Sequence, residues 1–329
     1  MFSNFVKSLK QGMMVSTSST SSPARLSKKD RARFAKDTIN KVIPNILKSN
    51  PRARLGIKDA ELIRYAPEPK APGQHPANAA VASEPPASAI PAETITSESS
   101  KQTEQPSSPN STSPRIRIIQ SDTYDAVQTI IKSTPDARVA ALNMASELRP
   151  GGGVLNGAVA QEESLCMRST LFHSLSDSFY RIPEEAAIYS PDVLVFRTSD
   201  QLEMPKPEWF YVDVISCAAI RGPELEFRGM QGTERPFYAW ESDYELMLMK
   251  VRLIVQIAKK KGISHLVLGA LGCGAYRNPP EEVAKIFRKV ICGDRKRPGV
   301  TGIEEIVFAI FDDGENLRVF KKVFQDVAP

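Results

Sequence analysis

A chain of 329 residues with 41% hydrophobic content can bury a core of ordinary size, as one large domain or two small ones, and it has no apolar run near the roughly eighteen residues of a membrane span. Its four cysteines are far apart with no Cys-x-x-Cys, and its three histidines are isolated, so neither a zinc site nor a disulfide framework is indicated. The net charge of +5 fits a polyanionic partner but does not separate one from a solvated basic helix face, the more common case.

Residues 1–24 are rich in Ser and Thr and lack acids, which reads as a disordered tail, with a transit peptide as the weaker alternative. From Lys28 to Lys48, Phe34, Ile39, Val42, Ile43, Ile46 and Leu47 recur at nearly helical spacing, so residues 25–65 are expected to form a helical extension that packs on the body. Residues 66–114 are crowded with Pro, Ala, Ser, Thr and Glu and lack aromatic residues between Ala66 and Pro114. They cannot bury enough surface to offset their ordering entropy, and a disordered linker is expected.

Over residues 115–329, short apolar runs alternate with helical patterns. Strands are expected at Arg115–Ile119, Ala137–Asn143, Val193–Arg197, Phe210–Ser216, His265–Leu271 and Glu304–Phe311. Helices are expected at Asp122–Lys132, Glu162–Leu175, Trp240–Lys261, Pro280–Ile291 and Glu315–Gln325. This is an α/β plan with a largely buried mixed sheet and helices on both faces.

Two glycine-rich loops follow strands in this plan. The first runs Gly151-Gly152-Gly153-Val154, then on to Gln161-Glu162-Glu163 at a helix start. Three glycines accept φ > 0 and let a ligand approach exposed backbone N–H groups, although a plain surface turn is the bland alternative. A carboxylate at a helix start is also favoured by the helix dipole, which accounts for one acid without accounting for the glycines before it. The second loop, Gly272-Cys273-Gly274-Ala275-Tyr276, lies between an apolar strand and a proline-started helix and forms a candidate anion cradle. Its glycine order does not fit the dinucleotide fingerprint, and no Gly-Lys-Ser/Thr follows. Cys273 reads most simply as a small filler, and Tyr276 is either a core tyrosine or a ligand contact.

The stretch from Leu142 through Gly151-Gly152-Gly153 and Gln161-Glu162-Glu163 to Leu171 resembles the signature of the microbial-type poly(ADP-ribose) glycohydrolases. The resemblance extends over roughly Arg115 to Gln325, with Tyr189–Arg197 and Val214–Ala219 as further similar segments. It departs at Ser216-Cys217-Ala218-Ala219, where relatives often carry a Thr-Ala-Pro-like turn. The resemblance implies a macrodomain-like three-layer αβα fold with a central mixed sheet, preceded by an N-terminal helical extension. It implies Glu163 as general acid and base, Glu162 and Gln161 on the ribose hydroxyls, and Asn143 on the distal ribose. Gly151, Gly152, Gly153 and Val154, with Gly272 to Tyr276, would hold the diphosphate. Asp122 would meet the adenine, although an Asp before a helix is more often an N-cap.

The chemistry agrees with that reading. Breaking a ribose–ribose bond needs a proton for the leaving oxygen, and of two adjacent glutamates one readily keeps its proton near neutrality. The expected activity is exo-hydrolysis of poly(ADP-ribose) on modified proteins, with ADP-ribose as product and with no cofactor or metal. Neither membrane binding nor sequence-specific nucleic-acid binding is expected, and the protein is expected to be a monomer in nucleus and cytoplasm, or alternatively in mitochondria. The other readings are a non-catalytic ADP-ribose reader and a mono-ADP-ribosyl hydrolase.

Overall fold

A computed structural model describes residues 27–67, 113–232 and 234–327. The expected tail at 1–24 and nearly all of the expected linker lie outside the described residues.

Ser27 starts helix α1 (Lys28–Asp37), its Oγ accepting the Asp30 amide at 3.2 Å. A widened π turn over Thr38–Val42 carries the helix into α2 (Ile43–Lys48). The stretch expected as one helix is therefore helical throughout, with Ala35, Ile39 and Ile43 buried along one face. Helix α3 (Pro51–Lys58) opens on a proline, whose missing N–H is tolerated in a first turn. The extension then adds a strand, β1 (Glu61–Arg64), so it is not purely helical as expected.

The body continues with β2 (Arg115–Gln120), α4 (Thr123–Ser133), β3 (Val139–Met144), α5 (Gln161–Arg168), α6 (Leu171–Ser174), β4 (Ala186–Val195) and β5 (Phe210–Cys217). A hairpin, β6 (Leu225–Arg228) and β7 (Arg235–Tyr238), precedes α7 (Glu241–Lys260), β8 (His265–Leu268) and α8 (Pro280–Cys292). The short pair β9 (Gly293–Asp294) and β10 (Arg297–Pro298) leads to β11 (Glu305–Ile310) and α9 (Glu315–Val323).

Seven strands form one mixed sheet in the order β1-β4-β5-β3-β8-β11-β2. Strands β5, β3, β8, β11 and β2 run parallel to one another, while β4 lies antiparallel to β5 and β1 antiparallel to β4. Side chains alternate between two cores, as the period of two requires. Ala140, Leu142, Ile215, Leu266 and Phe308 pack toward α7, α8 and α9, and Ala141, Val214, Val267 and Val307 toward α1, α4, α5 and α6. The structure thus has the three layers the sequence implied.

Two elements depart from expectation. The helix expected from Glu162 to Leu175 breaks at Ser169, which takes an extended conformation, bridges to Val195 and bonds its Oγ to the Leu165 carbonyl at 2.8 Å. The strand expected at Val193–Arg197 begins earlier, at Ala186, because Pro191 and Asp192 form a bulge in a longer strand rather than ending it.

Candidate active site

Strand β3 ends beside the first glycine loop, and α5 begins where that loop ends, so the chain turns back on itself around the three glycines. Gly151 and Gly152 have φ of +60° and +55°. A Cβ on Gly152 would stand 2.8 Å from Glu162 Oε2 and 2.9 Å from Glu163 Oε1, so the bare backbone is what lets both carboxyls converge there. A Cβ on Gly151 would strike the Phe172 ring. The loop is fixed from outside by the N-terminal extension: Arg31 Nε donates to the Gly157 carbonyl at 2.9 Å, and α1 lies so close that Gly157 has no room for a side chain.

Each glutamate is held by backbone N–H groups. Glu163, at the third position of α5, accepts from Gly153 N at 2.8 Å and reaches back to Ala160 N at 3.0 Å, the carboxylate half of a capping box. Glu162 accepts from Ser146 N at 2.8 Å and from Asn143 Nδ2 at 3.4 Å. Burial pushes the Glu162 carboxyl up from 4.5 to about 8; the bonds from Ser146 and Asn143 oppose this, and the nearby Glu163 and Glu147 add to it. Glu162, only 4% exposed, therefore keeps its proton near neutrality chiefly because it is buried, with the repulsion of its neighbour a smaller contribution.

The two glutamates and their glycines line a cleft of about 310 Å³. Met144, Ser146 and Arg149 form one wall, and Ala219, Arg221, Gly272, Gly274, Ala275 and Tyr276 form the other. Gly272, at φ +73°, sits where a Cβ would fall 2.4 Å from that of Ala219, so this loop too needs glycine for close approach. Asn278 braces the loop, donating to the Ile220 carbonyl at 2.7 Å and the Gly272 carbonyl at 3.2 Å and accepting from Tyr238. Tyr276 is half-buried, and its hydroxyl donates to Glu147 across the cleft. A second cleft of about 420 Å³, lined in part by Arg235, Glu281, Arg318 and Lys322, contains none of the motif residues. Among the described residues no cluster of three His, Cys, Asp or Glu side chains is arranged to hold a metal ion.

Several expected roles change on this geometry. Asp122 does not line the cleft: it caps α4 by accepting from Tyr124 N at 2.8 Å and pairs with the buried Arg168 at 2.5 Å, so its carboxylate is engaged and not offered to an adenine. Gln161 is bonded at both ends of its amide, to Met144 N at 2.9 Å and to the Leu142 carbonyl at 2.7 Å. It ties α5 to β3 rather than presenting a free group to ribose. Val154 is a core residue, Gly151 packs on Phe172, and the Cys273 thiol turns toward the Leu271 carbonyl. Asn143 is fully buried behind Glu162, bonds Ser216 Oγ at 3.0 Å and leaves its Oδ1 without a partner. Ser146, Arg149 and Arg221, which line the cleft, and Glu147, which pairs with Arg221 and Tyr276 beside it, were not among the expected site residues; no local pattern marks them, and only the topology brings them together.

A family model described as the microbial-type PARG catalytic domain matches residues 78–198. No curated protein matches the chain. Among solved structures, poly(ADP-ribose) glycohydrolase from Thermomonospora curvata is 22% identical with a TM-score of 0.63, over 90% of this chain and 100% of its own. The same enzyme bound to the inhibitor ADP-HPD is 23% identical with a TM-score of 0.61, over 89% of this chain and 99% of its own. Poly(ADP-ribose) glycohydrolase from Deinococcus radiodurans in complex with ADP-ribose is 26% identical with a TM-score of 0.54, over 67% of this chain and 87% of its own.

Proposed function

We propose that this chain, which the microbial-type PARG catalytic-domain model matches over residues 78–198, hydrolyses the ribose–ribose O-glycosidic bonds of poly(ADP-ribose), releasing ADP-ribose from chain ends. The observation that carries this reading is the convergence of Glu162 and Glu163 on one bare stretch of backbone at the edge of a cleft. The polymer is presented on modified proteins, and the enzyme acts as a monomer without a membrane.

In this scheme the terminal ribose lies against the two carboxyls, and the diphosphate runs between the glycine strip and the loop ending at Tyr276. The backbone amides of those two loops suit an anion. Glu163 delivers a proton to the leaving ribose oxygen as the glycosidic bond breaks, the electron pair leaving with that oxygen. An oxocarbenium-like centre remains at the anomeric carbon of the bound terminal ribose, and Glu163 then takes a proton from the water that attacks that carbon. Glu162, neutral near pH 7, donates a hydrogen bond to a ribose hydroxyl and sets no negative charge of its own against the bond being broken. Gln161 and Asn143 act as positioning residues, one tying α5 to β3 and the other bonding Glu162.

The purified protein is expected to release free ADP-ribose from labelled poly(ADP-ribose), followed by chromatography. Glu163→Gln should lower release by about a thousandfold or more, within the range a lost acid–base group spans together with misplaced charge, while calorimetry still detects ADP-ribose binding. Glu162→Gln should leave measurable, reduced turnover. Wild-type binding without release would instead make the protein an ADP-ribose reader. Release from mono-modified protein but not from polymer would make it a mono-ADP-ribosyl hydrolase, and undiminished turnover by Glu163→Gln would remove Glu163 from its role.

A further inference from the structure

Arg221, in the loop after β5, and Glu147, in the loop after β3, face each other over the cleft. Arg221 Nη1 stands 3.5 Å from Glu147 Oε1, while the other carboxylate oxygen of Glu147 accepts the Tyr276 hydroxyl. The Glu147 backbone is fixed as well, its carbonyl accepting Ile182 N at 3.0 Å. Glu147 thus joins three segments distant in sequence, and two of its partners, Arg221 and Tyr276, line the cleft opposite the glycine strip. The Arg221 side chain is 61% exposed and that of Glu147 is 26% exposed, so the pair is wet, weak and able to open.

We propose that Arg221 is a phosphate-recognition residue of this enzyme, and that Glu147 occupies its guanidinium until a substrate diphosphate displaces it. The inference rests on the glycohydrolase reading, which sets a diphosphate between the two loops. A carboxylate and a phosphate oxygen are the same kind of partner for a guanidinium fork, and phosphate offers more oxygens in the same geometry. An internal anion, the Glu147 carboxylate, is therefore bound to one cation and one phenol that both line the cleft. The apparent affinity for ADP-ribose is accordingly lower than the contacts alone would provide, because binding must first break the Glu147–Arg221 contact. Since ADP-ribose is also the product, the same competition favours its release.

Calorimetric titration of ADP-ribose into the wild type, Glu147→Gln, Arg221→Ala and the double variant tests this. Glu147→Gln removes the charge and keeps an acceptor for Tyr276. It is expected to tighten ADP-ribose by about two- to fivefold, the scale of an exposed ion pair, and Arg221→Ala to weaken it by about fivefold. In the Arg221→Ala background the added Glu147→Gln change is expected to do nothing, which a purely structural role for Glu147 would not produce. If Glu147→Gln weakens binding, leaves it unchanged, or tightens it equally without Arg221, the proposal is overturned. If the wild type neither binds ADP-ribose nor cleaves the polymer, the glycohydrolase reading has failed, a result separate from any of these.

Discussion

Glu162 is buried to 4% exposure, and its carboxyl is pushed up from 4.5 to about 8. The linkage has a definite sign. Below pH 4.5 both the folded and the unfolded chain hold the proton, and the favourable contribution of the neutral group is fully present. As pH rises toward 8 the unfolded chain releases a proton that the native state keeps, so stability falls through that window and levels off above it, by a few kcal/mol in total. Glu162→Gln should therefore melt above the wild type at pH 8 and close to it at pH 4, as thermal melts across the window would record; parallel curves would count against a proton retained on Glu162. The paired glutamates and the glycine strip were readable from the chain because all of these residues sit within one local stretch. That Glu162 keeps a proton near neutrality was not, because it depends on Ser146, Asn143 and the depth at which its carboxyl lies.

At the scale of elements, Asp122 illustrates how a residue in a suggestive position is captured by its own helix. It satisfies the Tyr124 and Asp125 amides and faces Arg168, a side chain fully buried in the molecule. Asp122→Ala is expected to cost about 2–3 kcal/mol in denaturant unfolding, from the lost cap and from a buried guanidinium left with Asp125 as its one carboxylate, and to leave ADP-ribose affinity unchanged. A large loss of affinity at full stability would restore Asp122 to the adenine. The buried parallel strands at Val139–Met144, His265–Leu268 and Glu305–Ile310 were apparent because both their faces are covered and each is apolar at all but one position. Strand β1 escaped notice because Glu61-Leu-Ile-Arg64 is four residues long with charged ends, as an edge strand tends to be. The front half of β4 was hidden by Pro191, and the break after α5 by leucines whose spacing runs on through Ser169.

Across the whole molecule, β1 and β2 are consecutive strands at opposite edges of the seven-stranded sheet. The edges stand roughly 30 Å apart at the usual strand spacing, a distance about ten extended residues would span in a straight line. Residues 65–114 connect them with length to spare. The segment ahead of that connection is held by its own contacts: four backbone positions of β1 paired with β4, Ala35, Ile39 and Ile43 in the core, and Arg31 on Gly157. The segment ahead of residue 67 is therefore docked by contacts that do not depend on covalent continuity with β2 across residues 67–113. Protein cleaved there by a protease is expected to migrate as one particle on gel filtration and to keep its turnover, whereas fragments that separate would show that the connection itself holds the fold. The molecule is in this sense a complementation pair joined by a tether: the smaller piece braces the loop that positions the glutamates, and supplying that piece in trans is expected to switch the larger one on.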